Sequence, residues 1–189
     1  TVTTVRPGGV TEVAMSYIDG QRKSLTGSGV VPVFWAHAVD ADGFLATTEY
    51  VGTGGTSPRF TTTRTDWRGR TVATIRPNPA GTGTVTESRE YSPTTGHLTK
   101  IAHTLTGTGT RIAADRLFAH DPLGRVNRSG LDLGAVPDGV LTDASPDRLT
   151  TTLREYVNTD GRWWDQTATR AFRIANDANA AYETIVRTA

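Results

Sequence analysis

Apolar and polar residues alternate over several short stretches of this chain. In residues 31–39, one face would carry the odd-numbered positions: Val31, Val33, Trp35, His37 and Val39. This period of two predicts a half-buried β-strand, and Pro32 places the start of that strand, or a sheet edge, nearby. Residues 70–75, 97–105 and 162–174 are predicted as further strands.

A second pattern recurs six times: a strand-like residue, a few turn residues, a glycine, a long side chain and a further β run. The turn glycines are Gly20, Gly43, Gly69, Gly96, Gly124 and Gly161, and from Gly43 on they are spaced by 26, 27, 28 and 37 residues. Each unit predicts an antiparallel β-hairpin whose glycine supplies the positive φ of a tight turn. We therefore expect an all-β fold, one domain over residues 1–189, cut from a longer chain.

Two segments are predicted to be loops, residues 52–58 and residues 132–146, and the second would account for the spacing of 37. A last hairpin is expected from Trp163 through a turn at residues 176–179 and back along residues 182–188. A helix over residues 171–181 is the alternative. It is disfavoured because Asn and Asp residues interrupt it and no amphipathic stripe forms.

Composition supports strands and excludes several function classes. The chain has 34 Thr and 20 Gly, and β-branched Thr suits a pleated surface. With 20 basic and 19 acidic residues, we expect no binding to nucleic acid. The absence of Cys excludes a disulfide scaffold or thiolate metal site. No apolar run is long enough for a transmembrane helix, so no membrane insertion is expected.

Three hairpins resemble the core of YD (Rhs) repeats, in which an aromatic residue and an Asp precede a Gly-containing turn and a β run. They are residues 118–126, residues 65–72 and residues 17–24, and the resemblance extends over residues 17–188. It implies a curved, spiralling sheet, part of the shell that such repeats form in Rhs toxins, toxin complexes and teneurins. The copies at residues 17, 39 and 65 lack the Tyr-Asp pair.

Catalytic chemistry is not predicted. The histidines His37, His97, His103 and His120 lack metal-ligand spacing, and His97 and His103 would lie about 20 Å apart on one strand face. The Asp-Pro-x-Gly tetrad of autocleaving Rhs shells occurs once, at residues 121–124, without its second copy. We therefore expect no enzyme, no catalytic residue, no metal and no cofactor.

The candidate residues for contact with a sugar or at an interface are Trp163 and Trp164. Neighbours on a strand point to opposite faces, so one Trp is expected in the core and the other exposed or packed on a neighbouring repeat. An exposed Trp could stack on a sugar. Packing of both Trp side chains within or between repeats is the alternative.

These features predict a structural module of a secreted or cell-surface protein, used in adhesion or assembly, including filament formation. Its partners would be neighbouring repeats of the parent chain, copies of itself, or glycans. Two alternatives remain open: a fragment of a toxin-encapsulating shell, and a carbohydrate-binding module.

Overall fold

The computed structural model describes residues 1–134, 138–141, 147–172 and 182–188. Within these ranges, fourteen strands form one open antiparallel sheet whose strand order follows the chain, so the expected all-β array of hairpins is confirmed. The strands are β1 Val2–Arg6, β2 Val10–Ser16, β3 Arg22–Thr26, β4 Val33–Val39, β5 Leu45–Val51, β6 Phe60–Thr65, β7 Thr71–Pro77, β8 Thr84–Tyr91, β9 Leu98–Leu105, β10 Asp115–His120, β11 Val126–Asp132, β12 Arg148–Thr159, β13 Arg162–Phe172 and β14 Tyr182–Thr188. The described part of the chain holds no helix of the length and apolarity that crossing a membrane requires.

The predicted strands agree with these bounds to within a few residues. The strand predicted from Val31 begins at Val33, since Pro32 has no N–H for a ladder and instead accepts, through its carbonyl, a hydrogen bond from the Gly52 amide at 2.8 Å. The spacing of 37 between the last two turn glycines has two sources. One is the connection after Asp132, and the other is the length of β12, at 12 residues.

The last predicted hairpin is present as two strands, because β13 pairs antiparallel with β14 from Asp165↔Thr188 to Ala171↔Tyr182. Its turn at residues 176–179 lies outside the described residues, as does most of the alternative helix over residues 171–181. The same holds for residues 135–137 and 142–146 of the loop predicted over residues 132–146. Asp132 itself is the final residue of β11.

Backbone contacts divide the chain into two compact units. The first unit comprises Thr1–Ser88 with Thr104–Thr110, and the second comprises Arg89–His103 with Arg111–Ala189. The expectation of a single domain stays a prediction.

Among the described residues, few apolar side chains are buried in either unit. The clearest cluster lies in the second unit, where Leu117 of β10 and Leu149 of β12 pack with Leu141 and are joined by Phe172. Leu141 comes from the connection between β11 and β12. Leu141 therefore lies against these strands and completes a small local core.

Gly130 of β11 lies beside Leu141 and the paired strand β12. A Cβ built on Gly130 would overlap the carbonyl oxygen of Arg148 on the paired strand and lie 3.1 Å from Leu141 Cδ2. Both neighbours are held in place, one by the β11–β12 ladder and one by the core cluster. Glycine is required here by the close approach of two backbones.

We expect Gly130→Ala to lower the free energy of unfolding by about 2 kcal/mol, since the added methyl overpacks a fixed contact. Urea denaturation measures this change. Gly55→Ala is the matched control, because a Cβ at Gly55 would meet no atom within 4 Å. Equal stabilities of the two variants would contradict the close approach at Gly130.

Candidate functional site

The six predicted turn glycines occupy corresponding places in the fold. Each closes the connection after an even-numbered strand, and their φ angles run from 72° at Gly161 to 85° at Gly20. Consecutive strands run in opposite directions, so these connections lie at one edge of each unit, here called the turn edge. The first unit carries Gly20, Gly43 and Gly69 there, and the second carries Gly96, Gly124 and Gly161.

Three of these turns begin with an aspartate, and its side chain accepts hydrogen bonds from amides later in the turn. The Oδ1 atom of Asp66 accepts the amide hydrogens of Arg68 and Arg70, both at 2.9 Å. Asp121 Oδ1 likewise accepts those of Leu123 and Arg125 at 2.9 Å. One carboxylate oxygen thus satisfies two amides that the sharp reversal leaves without ladder partners.

Asp40 opens the third such turn, where its Oδ1 accepts the amides of Asp42 and Phe44 at 3.0 and 3.1 Å. The glycines of these turns are identified by their spacing in the sequence, whereas the aspartates enter only through the resemblance to YD repeats and not as hydrogen-bond acceptors. The signal was nevertheless present, because Asp-x-x-Gly recurs with the same spacing at residues 40–43, 66–69 and 121–124. Ser92 takes the same place in a turn one residue longer, accepting the Thr95 amide at 3.2 Å.

Arginines pair with the second oxygen of each aspartate. Arg70 and Arg125 each donate from Nε to the Asp four residues earlier, at 2.8 Å. Asp40 instead receives Arg64 from β6, at 2.6 Å from Nε. Arg64 also donates to Asp42 at 2.7 Å. Arg64 therefore links the β4–β5 turn to β6, the first strand of the next hairpin along the chain.

These contacts shift the acidity of the turn carboxylates. The side-chain hydrogen bond from Arg64 is the main reason that the pKa of Asp40 lies below its ordinary value of 3.8. For Asp121, the bond from the Arg125 amide is the largest cause of a lowered pKa, and the Arg125 guanidinium adds to it while partial burial opposes it. Both carboxylates are therefore held in the charged form.

Aromatic rings make further contacts between neighbouring hairpins. Tyr17 meets His37 edge to face, with ring centroids 6.0 Å apart. His97 lies 4.8 Å from His120, and its Cε1 would be 2.7 Å from a Cβ at Gly124. The His97 ring thus covers the glycine of the following turn. Spacing along the chain suggests a comparison of His97 with His103, but the neighbour of His97 is His120, which comes close only through strand pairing.

A groove with a volume of about 740 Å³ lies in the first unit, between Tyr17, Ile18, Val39 and Leu45. Two of its polar side chains, those of His37 and Asp19, have partners within the chain. His37 Nε2 contacts the Arg22 carbonyl at 2.8 Å, and the Asp19 carboxylate accepts the Gln21 amide at 3.0 Å. Among the described residues, no three metal-binding side chains converge.

The β12–β13 hairpin extends beyond its neighbours. β11 pairs with β12 only at residues 148–151, and β14 pairs with β13 only at residues 165–171. Residues 152–164, here called the arm, are held in the sheet by the β12–β13 pairing. A two-residue turn ends the arm, with Asp160 at φ 55° and Gly161 at φ 72°. This is the positive-φ pair of a tight hairpin turn.

Trp163 and Trp164 lie on opposite faces of the arm. The Trp163 side chain is 69 % exposed, and on the same face Tyr156 is 76 % exposed. The register places Trp163 opposite Asn158 and Tyr156 opposite Asp165, so the two rings are diagonal neighbours. Trp164 is half-buried opposite Val157. One face of the arm thus presents two exposed aromatic rings.

The stability of the protein is expected to fall as the pH is lowered through about 3.8, the ordinary pKa of the turn aspartates. The folded-state pKa is depressed, so the carboxylates stabilise the fold above that pH, and protonation below it removes the contribution. Asp121→Asn keeps a side-chain oxygen that can accept the two amide hydrogen bonds, but it removes the titratable carboxyl group. Its urea midpoint should therefore depend less on pH.

Ser92→Ala is the matched control for this titration. It removes a side-chain acceptor from the corresponding turn without removing a titratable group, so its cost should be the same at every pH. An Asp121→Asn variant with the full pH dependence of the unsubstituted chain would show that this carboxylate is not part of the effect.

Searches for related proteins find no matching family model and no significant match among curated protein sequences. The resemblance to YD repeats therefore rests on the residues of the hairpins themselves.

Proposed function

We propose that this chain is a structural module of a secreted or cell-surface YD-repeat protein and serves in scaffolding, adhesion or assembly. The observation that carries the proposal is the strand order: fourteen strands pair strictly in chain order. Each hairpin therefore obtains its contacts from the hairpins on either side of it. This dependence on nearest neighbours is the physical property of a repeat array.

The repeated chemistry of the turns supports the same proposal. Asp40, Asp66 and Asp121 each close a turn with the same pair of amide hydrogen bonds. The reach of Arg64 to Asp40 links one hairpin to the next. Such repeated joints suit a scaffold, because they add to the ladder hydrogen bonds that hold neighbouring strands together.

The edge strands suit assembly. β1 and β14 each pair on one side only within the described residues, and all of their residues are exposed. An unpaired strand edge presents free amides and carbonyls to another strand. The partner strand would come from neighbouring repeats of the parent chain or from a second copy.

Amide hydrogen exchange tests the array directly. We expect Asp66→Ala to reduce protection in the strands beside that turn, β5 to β8, and to leave β2 and β3 of the same unit protected. The reason is that each hairpin is stabilised by its neighbours and not by a shared core. Trp67→Ala is the control in the same turn, because Trp67 is 85 % exposed. Equal loss of protection in every strand of the first unit would refute the array.

A second candidate function is carbohydrate binding, favoured by the exposed rings of Trp163 and Tyr156 on one face of the arm. Aromatic ring faces are apolar and flat, and they complement the C–H face of a sugar ring. The polar neighbours Asn158 and Asp165 lie directly opposite the two rings in the β12–β13 register. They would offer hydrogen-bonding groups to sugar hydroxyls.

If the arm binds glycans, Trp163→Ala should weaken the affinity about fivefold while leaving the circular dichroism spectrum unchanged, since stacking on one ring is worth roughly 1 kcal/mol. A glycan array followed by calorimetry measures the affinity. Trp67→Ala removes another exposed Trp away from the arm and should have no effect. Glycan affinity that survives Trp163→Ala would exclude this face as the binding site.

A further inference from the structure

We propose that the face of the arm with the exposed rings continues along the second unit as a binding surface for a linear acidic polysaccharide, a chain of sugars that carry carboxylate groups. This assignment rests on carbohydrate binding by the arm and names the class of glycan that the surface selects. The scaffold role does not depend on it, so its failure would leave the array proposal standing.

Strand pairing places three arginines on this face of the sheet. Side chains at every second position of a strand share a face, so Arg148 and Arg154 of β12 lie on the same face as Tyr156. The row continues across β11, because Leu131 lies opposite Arg148 of β12 and also opposite Arg116 of β10. The face defined by Arg116, Arg148, Arg154, Tyr156 and Trp163 is here called the arginine face.

The three arginines of this face are exposed, and none has a carboxylate partner within the part of the chain that the structure describes. By contrast, Arg170 on the opposite face donates to Glu183 at 2.8 Å. Asp165 is the one carboxylate that the described strands β10 to β14 contribute to the arginine face. The face therefore carries a net positive charge, which is complementary to an anionic ligand.

A groove on this face lies between the arginines of β10 and β12. It has a volume of about 390 Å³, and its lining includes Arg116, Arg148, Ser129 and Thr150. Because β11 separates the two strands, the backbones of the two arginines lie about 10 Å apart. A guanidinium binds a carboxylate through two parallel hydrogen bonds, and Ser and Thr hydroxyls bond to sugar hydroxyls. The groove thus offers groups for the charged and the neutral parts of an acidic sugar.

The length of the arginine face suits a chain of sugars. Arg148 and Tyr156 are eight residues apart on β12, which corresponds to about 27 Å of extended strand. Arg154 lies two residues from Tyr156, about 7 Å along the strand, so a sugar stacked on that ring has a guanidinium close by. A linear polymer contacts the rings at one end of the face and the groove at the other, whereas a single sugar contacts one of these places.

Arginines and aromatic rings also share a surface in proteins that bind single-stranded nucleic acids. Those proteins follow the phosphate backbone with a continuous basic groove. Here Thr150 and Thr152 separate Arg148 from Arg154 along the face, and the formal net charge of the whole chain is +1. These features favour an acidic glycan, and a nucleic acid is an outcome of the test.

Calorimetry with the full chain at low ionic strength provides the test, with polygalacturonate, alginate and hyaluronate as probes, each before and after methyl esterification of its carboxylates. The acidic form of at least one chain should bind about tenfold more tightly than its esterified form. Arg148→Ala and Arg154→Ala should each weaken binding of that acidic form about fivefold and leave the affinity for the esterified form unchanged. Added salt should weaken the acidic form alone, because it screens exposed charges.

Arg162→Ala is the matched control, since Arg162 is an exposed arginine on the opposite face of the arm. It should change neither affinity, and a loss as large as that in Arg154→Ala would overturn the assignment to this face. Equal affinities for acidic and esterified chains, both weakened by Trp163→Ala, would overturn the acidic preference and keep glycan binding by the arm. Absence of binding to every probe would overturn both. Tighter binding of single-stranded oligothymidylate than of every acidic chain would also overturn the proposal.

Discussion

The fold depends on how backbone amides are hydrogen-bonded where the chain reverses direction. A sharp turn leaves amides without ladder partners, and it needs a side-chain acceptor if those amides are to be bonded within the chain and not to water. The carboxylates of Asp40, Asp66 and Asp121 meet this need in the same way, with one oxygen on two amides. Their second oxygens then recruit arginines. These ion pairs brace the individual turns, and the pair of Arg64 with Asp40 also links two neighbouring hairpins.

Local features of the sequence predicted the local features of the fold. Alternation of apolar residues and the spacing of glycines indicated hairpins because both depend on residues close in the chain. The contact of His97 with His120 could not be predicted in this way. It depends on how β9 pairs with β10, where the ladder sets Lys100 opposite Leu117, and the residues between the two strands do not determine that register.

The arm illustrates the same limit. Alternation predicted that Trp163 and Trp164 point to opposite faces, which is a property of any strand. Which ring reaches solvent depends on what lies over each face of the β12–β13 hairpin. That is a tertiary feature, and a spacing of glycines carries no information on it. The exposed partner of Trp163, Tyr156, was missed for the same reason.

The two edges of each unit differ in how far the connections between strands can be lengthened without loss of stabilising contacts. At the turn edge, closely similar five-residue reversals recur at residues 40–44, 66–70 and 121–125, each closed by its own carboxylate. At the opposite edge, the connections differ in length, as residues 27–32, 52–59 and 133–147 illustrate. Foreign peptides inserted at the opposite edge would leave the ion pairs intact. The chain therefore offers a display platform, with one side for grafting and the other for rigidity.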